Sequence, residues 1–491
     1  MCCSVTEACG LCIQQMSLRI GLLITTHQSA RIAVKTARFA LFAILAVLLL
    51  GLSRNASAYS LLTHEQLIDL TWQDAIVPLL LSRYPNLTAA DLDRARAYAY
   101  GGCVIQDIGY YPFGDKSFSN LTHYVRTGDF VVNLFRNAQN ANELAFAVGA
   151  LSHYIGDTIG HSEATNRAVP IEFHELFERY GPVVSYAEGK HEHVRTEFAF
   201  DIDEIVHRRV APLRYLRHIG LKVPTRLVGV AFYQTYGLTD FAGHRRHRFK
   251  VREYRWAVRT FIPRIAYSVT VLRRNHEPVE PDTPDAVEIE KEAAEAAAIN
   301  HWDAYRGKKP RFETYLLAGV LYVLPKVGPL SLVAVKGPTE ETEADYMHSV
   351  AQSTAALRYE LKRFTPANNR VAAPVGAIAM NAPLGPIDPT HPLPNRDLDT
   401  GRVVEPGGYP LTDSTYALLL HKITSDPEQA IPPGIKEDIE AYYGNPQFTP
   451  GTAKDPAKWA RVQAELKILA AMKTSTEPTP FPTYDDGGND E

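Results

Sequence analysis

The stretch Leu151-Ser-His153-Tyr-Ile-Gly-Asp157-Thr-Ile-Gly-His161 decides how this chain is read. His153, Asp157 and His161 recur at i, i+4 and i+8, and on an α-helix each step of four residues turns only about 40° round the axis. Three groups with metal-ligating chemistry therefore form one polar stripe. The residues before them, Leu144-Ala-Phe-Ala-Val-Gly-Ala-Leu151, are apolar nearly all round, the pattern of a helix buried on every side. Imidazoles and a carboxylate carried into a core are costly to desolvate unless something offsets the loss, and a transition metal does so. The stretch predicts a metal site on a central helix.

Working outward, the periodicity is helical rather than alternating over residues 65–70, 89–100, 127–137, 141–160, 173–178, 194–206, 227–232 and 251–271, so the expected fold class is all-α. A basic run, His244-Arg-Arg-His-Arg-Phe-Lys250, precedes the last of these and reads as a solvated helix face. Glu277-Pro-Val-Glu-Pro-Asp-Thr-Pro284 has the composition of a linker. Beyond it, 285–300 is a charged, Ala-rich helix with little to bury. Residues 315–335 are the most apolar part of the chain after the N-terminal region; Pro and Gly interrupt them, so they read as a buried helical hairpin, with a peripheral membrane contact as the alternative. Residues 366–410 hold nine prolines and predict an extended, irregular crossing over the helical body. Helices are expected again at 413–420, 436–443 and 456–472, followed by a Pro- and Asp-rich tail at 474–491.

The N-terminus is a separate matter. Basic residues Arg31, Lys35 and Arg38 precede the apolar run 39–52, and Asn55-Ala-Ser-Ala58-Tyr59 then offers small residues where a signal peptidase reads. Residues 1–58 are expected to be a signal peptide cleaved after Ala58, with an uncleaved signal anchor as the alternative, and Met16 as a second candidate start. Four of the five cysteines lie in that piece, leaving Cys103 and no intramolecular disulfide. An exported chain of this kind must be held by core packing or by metals. The whole sequence carries a net charge of −4, and removing the leader makes it more acidic, which argues against a nucleic-acid-coating protein.

The remaining histidines and carboxylates of the first two hundred residues are ordered rather than scattered. His64 lies five residues after the expected new terminus, Asp107 sits in a Gly-Tyr-Tyr-Pro turn, and His123 follows in Leu121-Thr-His123-Tyr. After the central stripe, His193 and Glu197 stand one helical turn apart. Imidazole and carboxylate are the usual ligands of catalytic zinc, and together these groups exceed what one tetrahedral ion uses. They predict a cluster.

In this order the residues resemble the zinc-dependent phospholipase C superfamily, which includes the single-strand-specific zinc nucleases and the N-terminal domain of glycosylphosphatidylinositol phospholipase D. The resemblance covers about residues 59–201 and, more loosely, runs to 275; it implies an all-helical domain over 59–275. The region 276–473 lies outside the resemblance and is expected from its periodicity to be a helical extension of unknown role. The resemblance implies up to three zinc ions. Tyr59 would supply its terminal amine and carbonyl, and His64 the nearby imidazole. Asp157 would bridge two zincs, one of them shared with His123 and His153. His161, His193 and Glu197 would hold the third, with His191 and the pair His174 and Glu175 as competitors for the last places. Asp107 matches the residue that orients or deprotonates the attacking water. Two departures matter: Tyr replaces the usual terminal Trp, and the His-x3-Asp-x3-His spacing is closer to the glycosylphosphatidylinositol phospholipase D version. The expected function is an exported zinc phosphodiesterase acting on phospholipid. The alternatives are a nuclease or nucleotidase, with Tyr110, Tyr111 and Tyr154 stacking bases, and a non-catalytic envelope protein that zinc stabilises.

Overall fold

The computed structural model describes residues 61–111, 114–239, 245–272, 280–307, 312–323, 337–364 and 391–476. The leader, its cleavage site and Tyr59 lie outside the described residues, as do 324–336, most of the Pro-rich crossing, and 477–491. Among the described residues there is no sheet, only two isolated bridges, and the all-α expectation holds.

The chain begins with α1 (Leu61–Thr71), which passes through a π-helical turn into α2 (Val77–Arg83). Next come α3 (Ala89–Gly102), α4 (Lys116–Tyr124), α5 (Thr127–Asn137) and α6 (Ala141–Gly160). The run continues with α7 (Asn166–Glu172), α8 (His174–Tyr180), α9 (Lys190–Val206), α10 (Leu213–Ile219) and α11 (Thr225–Tyr236). Then α12 (Arg245–Trp256) leads through a second π-helical stretch, Ala257–Phe261, into α13 (Ile262–Leu272). Pro263 lies two residues beyond that stretch and has no N–H for the helical ladder, which accounts for the interruption of the single helix expected over 251–271. The C-terminal half holds α14 (Pro284–Ile299), α15 (Trp302–Tyr305), α16 (Phe312–Val323), α17 (Glu340–Phe364), α18 (Pro410–Thr424), α19 (Pro433–Gly444) and α20 (Pro456–Ala471).

The organising element is α6. Asn140 caps it by accepting the Glu143 N–H at 3.0 Å. Its residues from Glu143 to Gly160 are all buried, because α1, α2, α3, α5 and α17 pack around it. The crossing with α3 is close enough to demand glycine: a Cβ on Gly149 would sit 2.2 Å from the Ala99 carbonyl oxygen. That approach brings the Cys103 carbonyl, at the end of α3, to the stripe on α6.

Helix α1 is also buried along its whole length although it carries Glu65, Gln66 and Asp69. Gln66 and Asp69 each have a partner, while burial pushes the Glu65 carboxyl well above the usual range. Asp69 accepts from the Tyr100 hydroxyl at 2.6 Å, and Gln66 donates to Glu204 at 2.6 Å. Asp201 on α9 accepts the Leu62 and Thr63 N–H groups at 3.0 and 3.1 Å, so a carboxylate closes the electropositive start of α1. Those bonds fix the helix that carries His64.

Helix α17, which the periodicity did not mark, lies against α6, α1 and α14. Tyr346 stacks on Phe200 at 4.6 Å, and its hydroxyl lies 2.9 Å from Thr63 Oγ1. Helix α16 occupies part of the expected hairpin: Leu317 and Leu321 pack against Phe261, Ile265 and Val269. No described helix is long and apolar enough to cross a membrane.

The irregular segment 391–409 does lie across the helical body. Leu398 N–H donates to the His123 carbonyl at 2.9 Å, Thr127 Oγ1 donates to the Arg396 carbonyl at 2.8 Å, and the Tyr154 hydroxyl donates to the Pro394 carbonyl at 2.6 Å. At the far end Thr474 pairs with Ile431 in one isolated bridge.

Candidate metal centre

Every described residue of the expected ligand set is buried in the same part of the molecule. His153 and Asp157 come from α6, with Nε2 and Oδ2 3.1 Å apart. His64 arrives from α1 and stacks on the His153 ring at 4.2 Å; its Nε2 lies 3.2 Å from Asp157 Oδ1. His123, near the end of α4, places Nε2 3.4 Å from Asp157 Oδ2 and 3.4 Å from His153 Nε2. The two Asp157 oxygens thus face two different partners.

Asp107 sits in a short 3-10 turn, Gln106–Gly109, with Oδ1 3.3 Å from His123 Nε2. The resemblance implied a residue acting on water; the structure groups Asp107 with His123 and His153, at ligand distance.

His161 separates from its neighbours on the stripe. Successive 40° steps carry it well round the axis from His153, and a π-helical stretch, His161–Thr165, begins at that residue. It joins His193 and Glu197 on α9: His161 Nε2 is 3.3 Å and His193 Nε2 2.8 Å from Glu197 Oε1. The competitors fall away on burial. His174 and Glu175 are exposed on α8, and His191 is only half-buried.

Three observations fit these residues to zinc. The donor set is imidazole and carboxylate only. Ligand atoms about 2.0–2.1 Å from a tetrahedral ion stand about 3.3 Å from one another, close to the spacings of 3.1–3.4 Å found for His64, His123, His153 and Asp157. Finally, both Asp157 oxygens, Asp107 Oδ1, Glu197 Oε1 and both His193 nitrogens are buried without a hydrogen-bond partner, which close-packed interiors rarely tolerate. Their lone pairs converge on common points instead of on each other's protons.

The imidazoles are also oriented from behind. A carbonyl only accepts, so the Nδ1 of His153, 3.0 Å from the Cys103 carbonyl, must carry its proton; so must the Nδ1 of His123, 2.7 Å from the Ser119 carbonyl. Each ring then presents the Nε2 lone pair to the centre. Cys103 contributes this carbonyl, while its thiol donates to the Tyr100 carbonyl and is pushed up by burial.

Without metal, protons hold the charge balance. Burial opposes a charge on His123, but the facing Asp107 and Asp157 carboxylates win and raise it to about 10. Burial likewise disfavours the Asp157 carboxylate, yet the facing His153, His161 and His123 hold it well below the usual carboxylate range. Burial lowers His193 to about 4 and raises Glu197 to about 8.

A fourth group, Asp203, His207 and Glu343, has ligand-like spacing but already contains a cation. Arg209 reaches Glu204 at 2.6 Å and Glu343 at 2.5 Å, and lies 3.6 Å from Asp203. This is a buried ion network tying α17 to the end of α9. Removing the guanidinium leaves carboxylates uncompensated in the interior, so Arg209→Met should cost about 3–5 kcal/mol. Chemical denaturation measures this, and a loss below about 1 kcal/mol, the scale of an exposed pair, would refute it.

The all-helical body thus carries buried histidine–carboxylate groups that could hold metal ions. Residues 63–245 match the family described as zinc dependent phospholipase C, so over that segment the chain is similar to the zinc-dependent phospholipase C superfamily. No curated protein and no solved structure matches the chain. The matched segment contains every described residue of the expected ligand set. It does not contain Asp399, which the sequence reading missed: its Oδ1 lies 3.9 Å from His161 Nδ1.

Proposed function

We propose that the chain is a phospholipase C-type zinc phosphodiesterase that hydrolyses phospholipid after export. The observation that supports this best is the sharing of Asp157 between His64 on one side and His123 with His153 on the other, beside a third donor group at His161. Bound zinc supplies an activated water at neutral pH and electrostatic stabilisation of phosphoryl oxygens. The chain's own part is to hold the donor atoms in place. His123 and His153 are locked by the Ser119 and Cys103 carbonyls, His64 is carried by a helix that Asp201 anchors, and burial keeps competing water from the ligands. Asp107 is proposed as a ligand beside His123, close enough to the centre to orient the attacking water as well. The Tyr59 terminus is proposed to complete the group of His64 and Asp157.

Two of the three aromatic residues that would serve the nuclease alternative are buried. Tyr154 is fully buried with its hydroxyl on Pro394, Tyr110 is buried edge-on to His123, and Tyr111 lies against Tyr254. Neither Tyr110 nor Tyr154 offers an open face to a base.

The test is hydrolysis by the full chain, produced with its own leader and supplied with zinc. Phosphatidylcholine vesicles should release diacylglycerol and phosphocholine, whereas single-stranded DNA should remain intact; cleavage of DNA alone would overturn the lipid reading. Asp107→Asn should lower turnover by at least about 100-fold, or roughly 2.7 kcal/mol. Unaltered kinetics in that variant would remove Asp107 from the machinery.

A further inference from the structure

Two of the histidines in the centre are oriented by a carbonyl behind Nδ1. His161 has a carboxylate there. Its Nε2 faces Glu197 at 3.3 Å, and Asp399 Oδ1 stands 3.9 Å from Nδ1, on the other side of the ring. Asp399 is itself buried and held from several directions. Its Oδ2 accepts the Tyr124 hydroxyl at 2.9 Å and the Tyr409 hydroxyl at 2.6 Å, and its carbonyl accepts from Asn166 Nδ2 at 2.7 Å. The Tyr409 oxygen in turn accepts the Ala187 N–H at 3.0 Å, which directs its own proton to Asp399.

The turn that presents this carboxylate is equally constrained. Asp397 accepts the Thr400 N–H at 2.8 Å, and Arg396 pairs with Val403 across the loop. Gly401 closes it at φ +70°, where a side chain would be strained and a Cβ would meet the Thr158 carbonyl oxygen at 2.4 Å. Thr158 is on α6, three residues before His161. The loop is thus fastened to the helix that carries the histidine it serves.

The geometry points to Asp399 as a positioning residue of the metal centre: its negative charge, 3.9 Å from Nδ1, favours the form of His161 with Nδ1 protonated and Nε2 free to ligate. This assignment rests on the zinc reading above and extends it, because Asp399 lies outside the segment matching the family. A carboxylate behind a ligating imidazole sets the tautomer and raises its basicity, and losing such a partner typically weakens metal affinity by about 10–100-fold. Asn is the informative replacement. With both tyrosine protons aimed at one terminal atom, the amide oxygen takes that place and the amide NH2 faces the His161 N–H, so donor meets donor.

The experiment is zinc release from the full chain during a graded chelator titration, with the absorption spectrum of the Co2+-substituted protein as the second readout. In Asp399→Asn, one metal per chain should leave at about 10–100-fold lower chelator than in the wild type, and the Co2+ bands should shift while the other metals stay. Release and spectra matching the wild type would overturn the assignment. If Asp399→Asn fails to fold, the double variant Tyr124→Phe, Tyr409→Phe keeps the carboxylate but frees it. The same metal should then be weakened, and an unchanged release curve counts against the proposal. A wild-type chain that holds no zinc at all would instead overturn the metal reading on which it rests.

Discussion

An amide in place of the Asp157 carboxylate should empty two of the three donor groups at once. Oδ1 serves the side with His64 and Oδ2 the side with His123 and His153, so both oxygens are engaged. Asn keeps one oxygen and turns an NH2 donor toward imidazole nitrogens that must present lone pairs. Asp157→Asn should therefore lower the zinc content of the full chain by two while the group of His161, His193 and Glu197 keeps its metal. Turnover on phosphatidylcholine should fall by at least about 1,000-fold, about 4 kcal/mol of transition-state stabilisation. Metal analysis and steady-state kinetics on the same preparation measure both. A variant that retains the full complement of zinc would show that Asp157 is not shared.

Glu197→Gln should produce a crossed result, stabilising the metal-free protein and destabilising the zinc-loaded one. Burial raises Glu197 to about 8 from an ordinary value of 4.5. Below pH 4.5 folded and unfolded chains both hold the proton. Between 4.5 and 8 the unfolded chain has lost it and the folded chain has not, so the folded state binds more protons and stability falls as pH rises. Above pH 8 the full penalty of an ionised, buried carboxylate is present. Gln removes that penalty. The metal-free variant should melt above metal-free wild type at pH 8 and close to it at pH 4.5, where Glu197 is protonated in the folded chain and still half protonated in the unfolded one. His193, lowered to about 4, affects the acid side, with stability lost as pH falls from 6.5 towards 4. With zinc bound the order reverses, because the ion needs the carboxylate charge and displaces the proton. Melting curves at the two pH values, with and without zinc, give all four combinations. A metal-free variant that melts below wild type at pH 8 would contradict the argument.

The parts of the centre that the sequence revealed are those with local periodicity. The stripe on α6 and the pair on α9 are each one turn apart in sequence, so their shared faces follow from helix geometry alone. His64, His123 and Asp107 have no such periodicity and were placed through the family resemblance. Helix α4 carries His123 but was not predicted; its signals are the Asp115 cap on Ser117 and the buried Phe118 and Leu121.

Helix α17 was missed for a physical reason. Its core-facing side mixes Tyr346, Met347, Val350, Leu357 and Leu361 with Glu343, Ser349, Ser353 and Thr354. Small and charged residues suit close packing on other helices and a buried arginine, and they dilute the apolar stripe that periodicity detects. Asp399 gave no local signal at all. It lies in a Pro-rich crossing, and what makes it part of the centre is the distant set of groups it meets.

That crossing also bears on the order in which the protein is made. Tyr124 and the Asp399 carboxylate it holds are 275 residues apart. At about 5–20 residues per second, roughly 15–55 s separate their synthesis. For that interval the nascent chain carries α4, α6 and α9 without the turn that backs His161. The helices can collapse early through their local contacts, but the final setting of this histidine waits for a late segment. Maturation of the third donor group is therefore a finishing step of synthesis, and a chain stopped before residue 399 would hold the ligands of this group without the carboxylate that positions one of them.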